Sequence, residues 1–179
     1  VKDLAAARRY ARAVVEAVRE PAAQDRVLEE MRGVEVLLRS ERMLRVYLTD
    51  VRVKPARRME ILRALSARAG LAPETLHVLE SVARHGRFEI FAEIVAALSR
   101  EMDRVRGVLR VRIRSARPMD GEQVRRVEDA LSRKTGRRVA AEAETDAALL
   151  GGLSLQAGSV VYDASLKTLI ERAAARWAA

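Results

Sequence analysis

At Gly107 the hydrophobic period of this chain changes, and that change sets the architecture. Before it, apolar residues recur three and four apart, the spacing of one face of an α-helix. After it, in Val108–Ser115, Leu109, Val111 and Ile113 alternate with Arg110, Arg112 and Arg114, the two-residue period of a half-buried strand. A chain of 179 residues whose all-helical period ends there reads as two folding units, 1–105 and 106–179. Nearly half the residues are apolar but only 3% are aromatic, so any core is built from Leu, Val and Ala.

Proline and glycine punctuate the first unit. Pro21, Pro55 and Pro73 stand where helices should begin, because Pro fits a first turn and breaks an interior. Helices are predicted near 3–19, 22–39, 41–48, 54–69, 73–85 and 88–105. Ser40 is the expected N-cap of the third, and Gly70 and Gly86 are expected to end the fourth and fifth. Short connections make consecutive helices pack together, which predicts a six-helix bundle.

The second unit reads differently. Pro118 and Asp120 open a helix with Gln123 as capping-box partner, and Gly136 ends it. Val139, Ala141 and Ala143 mark a second strand. Leu153 and Leu155, then Val160 and Tyr162, flank Ala157-Gly158-Ser159 as a hairpin. Asp163 or Ser165 is expected to cap a last helix with Leu166, Leu169, Ile170, Ala173 and Trp177 on one face. The predicted class is α+β: an N-terminal six-helix bundle, then a small C-terminal α/β module with a short mixed sheet. A module of about 70 residues is marginal unless docked to something.

Two helices carry apolar faces wider than a bundle needs. On helix 1, Leu4, Ala7, Ala11, Val14, Val15 and Val18 form one stripe, and Ala6, Tyr10, Ala13 and Ala17 a second beside it. Together they cover roughly 200° of the wheel, where one-sided packing takes little more than about 100°. On helix 5, Leu76, Val78, Leu79, Val82 and Ala83 span roughly 160°. Periodicity alone does not choose between two helices central to their own bundle and a groove that accepts a partner helix.

Chemistry is conspicuously missing. There is no Cys, hence no disulfide, thiolate nucleophile or Cys-ligated metal. His77 and His85 lie near opposite edges of helix 5 without a metal-ligand set around them. There is no phosphate-cradling Gly-x-x-x-x-Gly-Lys-Ser/Thr loop, and Glu29/Glu30 and Glu142/Glu144 read as solvated faces. No catalytic residue, cofactor site or metal site is assigned. No apolar run approaches the roughly 20 residues that span a bilayer, and no basic-then-apolar leader is read at the start.

The formal charge of +9 raises nucleic acid as a partner. However, 20 basic and 16 acidic residues precede Arg106, and from Arg106 on there are 14 and 9, so the excess is spread over both units. Arg110, Arg112 and Arg114 share a strand face, but no Phe or Tyr interleaves them as a base-stacking platform would require. Pairing with Glu142 and Glu144 across the sheet is the competing expectation. A basic helical module binding nucleic acid is the alternative reading of the whole chain.

The segments "ARRYARAVVEAV" (Ala7–Val18), "ARHGRFEIFAEIVAAL" (Ala83–Leu98), "VRIRSARPMDGEQVRRVEDALSRKTGRRV" (Val111–Val139) and "LLGGLSLQAGSVVYDASLKTLIERA" (Leu149–Ala173) follow one another in a familiar order. Together they resemble the delta subunit of F-type ATP synthase, whose mitochondrial relative is the oligomycin-sensitivity-conferring protein. Tyr162, where the family usually has an aliphatic residue, and Ala164, in place of a common Gly, depart from its pattern.

The resemblance implies a non-catalytic stator subunit without cofactors. Its N-terminal bundle would hold the N-terminal helical segment of an alpha subunit between helices 1 and 5, at Tyr10, Ala13, Val14 and Ala17 and at Leu76, Val78, Leu79 and Val82. Its C-terminal module would engage the b subunits of the peripheral stalk, with Leu166, Leu169, Ile170 and Trp177 as candidates. The headpiece would thereby be kept from turning with the rotor during proton-driven ATP synthesis. The resemblance further implies a peripheral protein on the cytoplasmic face of a bacterial plasma membrane, touching the membrane only through the complex and binding no nucleic acid.

Overall fold

The structure is a computed structural model that describes residues 3–149, 151–158 and 160–165. The chain divides into two compact units, Val1–Met102 and Asp103–Ala179. Among the described residues it is α+β, with seven α-helices and one four-stranded mixed sheet.

The helices of the first part are α1 (Leu4–Ala17), α2 (Pro21–Ser40), α3 (Arg42–Thr49), α4 (Pro55–Ala69), α5 (Pro73–Arg84) and α6 (Phe91–Val105). Pro21, Pro55 and Pro73 each occupy a first turn, where the missing N–H would have had no helical acceptor. Asp3 caps α1, its Oδ1 accepting from the Ala6 N–H at 2.9 Å. Gly70 closes α4 at φ +64°, a left-handed conformation that costs a side-chain-bearing residue strain.

Two details differ from the sequence reading. Ser40 does not cap α3: it is the last residue of α2, and its hydroxyl donates back to the Leu37 carbonyl at 3.2 Å. Glu41 serves both ends, its own N–H bonding to Leu37 O. The sixth helix begins at Phe91, after a 3-10 turn at Phe88–Ile90 that sets Phe88 and Phe91 stacked at 5.4 Å. Around that pair the core gathers Met31, Leu48, Leu62, Leu79, Ile94 and Leu98.

One carboxylate ties three helices. Glu30, in α2, accepts from the Ala72 N–H at 2.8 Å and the Thr75 hydroxyl at 2.6 Å, at the start of α5. It also accepts from Arg26, one turn earlier, whose guanidinium reaches the Gly70 carbonyl at the end of α4. Burial pushes the Glu30 carboxyl up, but the Thr75, Arg26 and Ala72 donors outweigh it and hold it below the usual glutamate value. The unfolded chain therefore takes up this proton more readily than the folded one. The stabilisation is complete above the ordinary glutamate range and is lost as pH falls through the depressed folded value. Glu30→Gln should cost about 1–3 kcal/mol at neutral pH and flatten the acid side of the stability curve. Urea titrations of both chains at neutral and acid pH check this; parallel acid limbs would exclude it.

The second unit contains β1 (Val108–Ser115), α7 (Gly121–Thr135), β2 (Arg138–Thr145), β3 (Gly152–Ala157) and β4 (Val160–Ser165), with a 3-10 turn at Ala147–Leu149. The strand order is β2-β1-β3-β4. β1 and β2 are parallel and joined through α7, while β3 is antiparallel to both β1 and β4. Asp120 and Gln123 form the predicted capping box, with bonds of 2.8 and 3.1 Å. Val111, Ile113 and Val139 are buried beneath Val124, Val127 and Leu131 of α7.

On the other strand face Arg110 pairs with Asp103 and Glu142, and Arg114 with Asp146 and Glu144. The expected cross-strand pairs exist, but each is shared with an aspartate outside the register. Asp163 is not a helix cap: it lies within β4, opposite Ser154, because the hairpin register carries pairing through Ser165. Gly152 and Gly158 both have positive φ, as the turn into β3 and the hairpin require. The face expected from Leu166, Leu169, Ile170 and Trp177 lies outside the described residues.

Candidate helix-binding groove

The second stripe of α1 is buried at Ala6 but opens toward solvent from Tyr10 onward. Ala7, Ala11 and Val14 are buried in the core, whereas Ala13 and Ala17 are exposed and Tyr10 half-buried. Beside them runs α5. Between the two lies an open groove of about 330 Å³, lined by Tyr10, Ala13, Val14, Ala17 and Val18 on one side and Glu74, His77, Val78 and Ser81 on the other. Each wall repeats at i, i+3, i+4 and i+7, the spacing of one helical stripe. The edges of two parallel stripes make a trough whose floor is methyl groups, Val14 and Val78.

Past Tyr10 the trough continues into a second hollow of about 340 Å³ lined by Arg9, Tyr10, Ala13, Ser81, His85 and Arg87. Tyr10 meets His85 edge-on, ring centroids 6.3 Å apart. His85 Nδ1 lies 2.8 Å from the Ser81 carbonyl, so Nδ1–H donates to it. Arg87 is anchored to Asp3 at 2.9 Å. One end of the trough is therefore basic, and Glu74 marks the other. Both histidines of the chain line it.

Of the residues expected on a groove, Tyr10, Ala13, Val14, Ala17 and Val78 line it together. Leu79 and Val82 do not: both are wholly buried among the core side chains, and Leu76 packs half-buried against the same core. Val18, Glu74, His77 and Ser81 complete the walls and were not anticipated. Counting i±3, i±4 and i±7 outward from Val78 would have found two of them, Glu74 and Ser81, but neither is apolar.

The groove is suited to holding an apolar helix face. Among the described residues no cluster of three His, Cys, Asp or Glu is placed to hold a metal ion. No described helix is long and apolar enough to cross a membrane.

Fold and groove define a class: an α+β protein whose helical unit carries an open, mostly apolar trough between two of its helices. The chain belongs to the ATP synthase delta (OSCP) subunit family, whose sequence model matches residues 6–176. It is 30% identical to ATP synthase subunit delta of Symbiobacterium thermophilum over 168 residues, which cover 94% of this chain and 90% of that one. The corresponding subunit of Carboxydothermus hydrogenoformans is 30% identical over 172 residues, 96% of each chain. That of Trichlorobacter lovleyi is 31% identical over 168 residues, 94% of this chain and 93% of that one. Among solved structures, a chain of the Toxoplasma gondii mitochondrial ATP synthase hexamer superposes with a TM-score of 0.67 at 20% identity, covering 97% of both, and so shares the fold.

Proposed function

We propose that the chain is a non-catalytic stator subunit of a rotary ATP synthase, joining the catalytic headpiece to the peripheral stalk. In this reading the six-helix part, residues 1–105, binds the N-terminal helical segment of an alpha subunit. Residues 106–179 bind the b subunits, with Leu166, Leu169, Ile170 and Trp177 as the stalk-facing candidates. The observation that carries the reading is the trough between α1 and α5, apolar along its floor and walled by two helical stripes. An amphipathic helix laid into such a trough is held by burial of its apolar anchors. Resisting torque takes adhesion at two ends and no chemistry. The protein would sit at the cytoplasmic face of the bacterial plasma membrane, held there through the complex.

Isolated headpiece should be retained on the immobilised chain when its alpha subunits are intact and released when their N-terminal segments are removed. Equal retention of both would remove the proposed contact. Retention should change little with salt, whereas a nucleic-acid binder loses affinity steeply as salt rises. The nucleic-acid alternative is also weakened by the pairing of Arg110 and Arg114 to carboxylates.

A further inference from the structure

The trough between α1 and α5 is not electrically uniform along its length. Tyr10, Ala13 and Ser81 line both of its hollows, whereas Arg9, His85 and Arg87 line only one and Glu74 only the other. Residues early in α1 thus lie beside residues late in α5, and the trough has a basic end and an acidic end. From Glu74 to His85 the helix rises about 16 Å, three turns.

This polarity holds after the neighbouring charges are counted. At the basic end one acid stands against two guanidinium groups. Asp3 accepts from the Ala6 N–H with Oδ1 and from Arg87 with Oδ2. Arg9 acts on that carboxylate only through space and has no ion-pair contact among the described residues. Arg84 is taken by Glu80, which also holds Arg63. Arg8 and Arg12 turn further round α1 from Ala13 than Arg9 does. At the other end Glu74 is exposed, again without an ion-pair contact among the described residues. Glu16, seven residues after Arg9 and so on the same flank of α1, adds to that end. Arg19 and Glu20, just past α1, offset each other.

We propose that the trough seats its occupant in one orientation, with a carboxylate of the segment at Arg9 and a basic side chain of the segment at Glu74. This rests on the reading of the trough as a helix seat and adds which helix it takes: an amphipathic segment acidic at one end and basic about three turns away. The apolar walls accept a helix laid in either direction, so they supply hold without choice. The end charges choose, because turning the segment round replaces two attractions with two like-charge contacts.

The probes are two peptides of about 15 residues, long enough for the three turns of the trough, that share a palindromic stripe of Leu and Ala. One has Glu in its first turn and Lys in its last, and the other has them exchanged. Each is dansylated at the N-terminus and amidated at the C-terminus, which removes the terminal charges. The described chain has no free Cys, so a nitroxide can report from one place at a time: Ala5→Cys beyond the basic end or Ala22→Cys beyond the acidic one. Both positions are exposed and line neither hollow. The Glu-first peptide should be quenched from Ala5→Cys and the Lys-first peptide from Ala22→Cys. Each bias should be about tenfold at low salt and shrink as salt screens it. Arg9→Gln with Glu74→Gln should abolish most of the bias while lowering affinity only about two- to fivefold. Both side chains are exposed, and circular dichroism melts check that the variant is folded. Quenching of both peptides from the same site, or of each from both sites alike, would overturn the inference and leave the seat standing. So would a bias that survives in the Arg9/Glu74 variant. No saturable binding, binding that Ala13→Glu does not weaken, or a dimer of the chain that Ala13→Glu dissolves would remove the seat itself, and this inference with it.

Discussion

Ala13→Glu should reduce affinity for an alpha N-terminal peptide by about 3 kcal/mol or more, over a hundredfold, while leaving the fold intact. Ala13 is exposed in the free protein, so a carboxylate there stays hydrated and the chain tolerates it. Once a helix lies in the trough, the same carboxylate is trapped against methyl groups. Its nearest basic neighbours are Arg9 and His85 at the trough's end, with Arg87 already paired to Asp3. Calorimetric titration of peptide into both chains measures the loss, and Ala13→Ser, which adds a hydroxyl that can stay solvated at the trough mouth, should cost far less. Normal affinity in a folded Ala13→Glu chain would move the partner's seat elsewhere.

Leu79→Ala and Val78→Ala should fail in different ways, although the two residues are adjacent. Leu79 is fully buried, and its truncation should destabilise the helical unit by about 2–5 kcal/mol through lost contacts and the cavity left behind. Val78 is half-buried on the trough wall, so Val78→Ala should cost much less stability and show its main effect on peptide affinity. Denaturant melts paired with calorimetry separate the two. If Leu79→Ala weakened binding at full folding while Val78→Ala did not, the face of α5 would be assigned the wrong way round.

The contrast between these neighbours shows what sequence could and could not reveal. Apolar periodicity reports that a side chain is buried; it does not say by what. Leu79 and Val82 looked like groove residues because they widen the apolar arc of α5, yet the chain's own core accounts for them. The trough walls His77, Ser81 and Glu74 are polar, so no hydrophobic pattern could have picked them out. On α1 the reading fared better, because the second stripe is small and apolar and the core had already claimed the first.

Helix starts were legible wherever Pro fixed the first turn. Ser40 misled because a hydroxyl at a helix boundary can bond backward to Leu37 O as readily as forward to an orphan N–H. Asp163 misled for a related reason: its type favours caps, but cross-strand register at β3 and β4 took precedence over local preference.

The Glu30 anchor has a mechanical meaning. The α5 wall of the trough is guyed at its leading end to α2, through Ala72 and Thr75, and Arg26 ties the preceding chain at Gly70 to the same strut. A sideways pull on a segment seated in the trough would load these few bonds before it strained the hydrogen-bond ladder of α5 itself. The seat should therefore be stiff under shear at neutral pH and grow compliant on acidification, yielding at a single carboxylate while its helices remain wound.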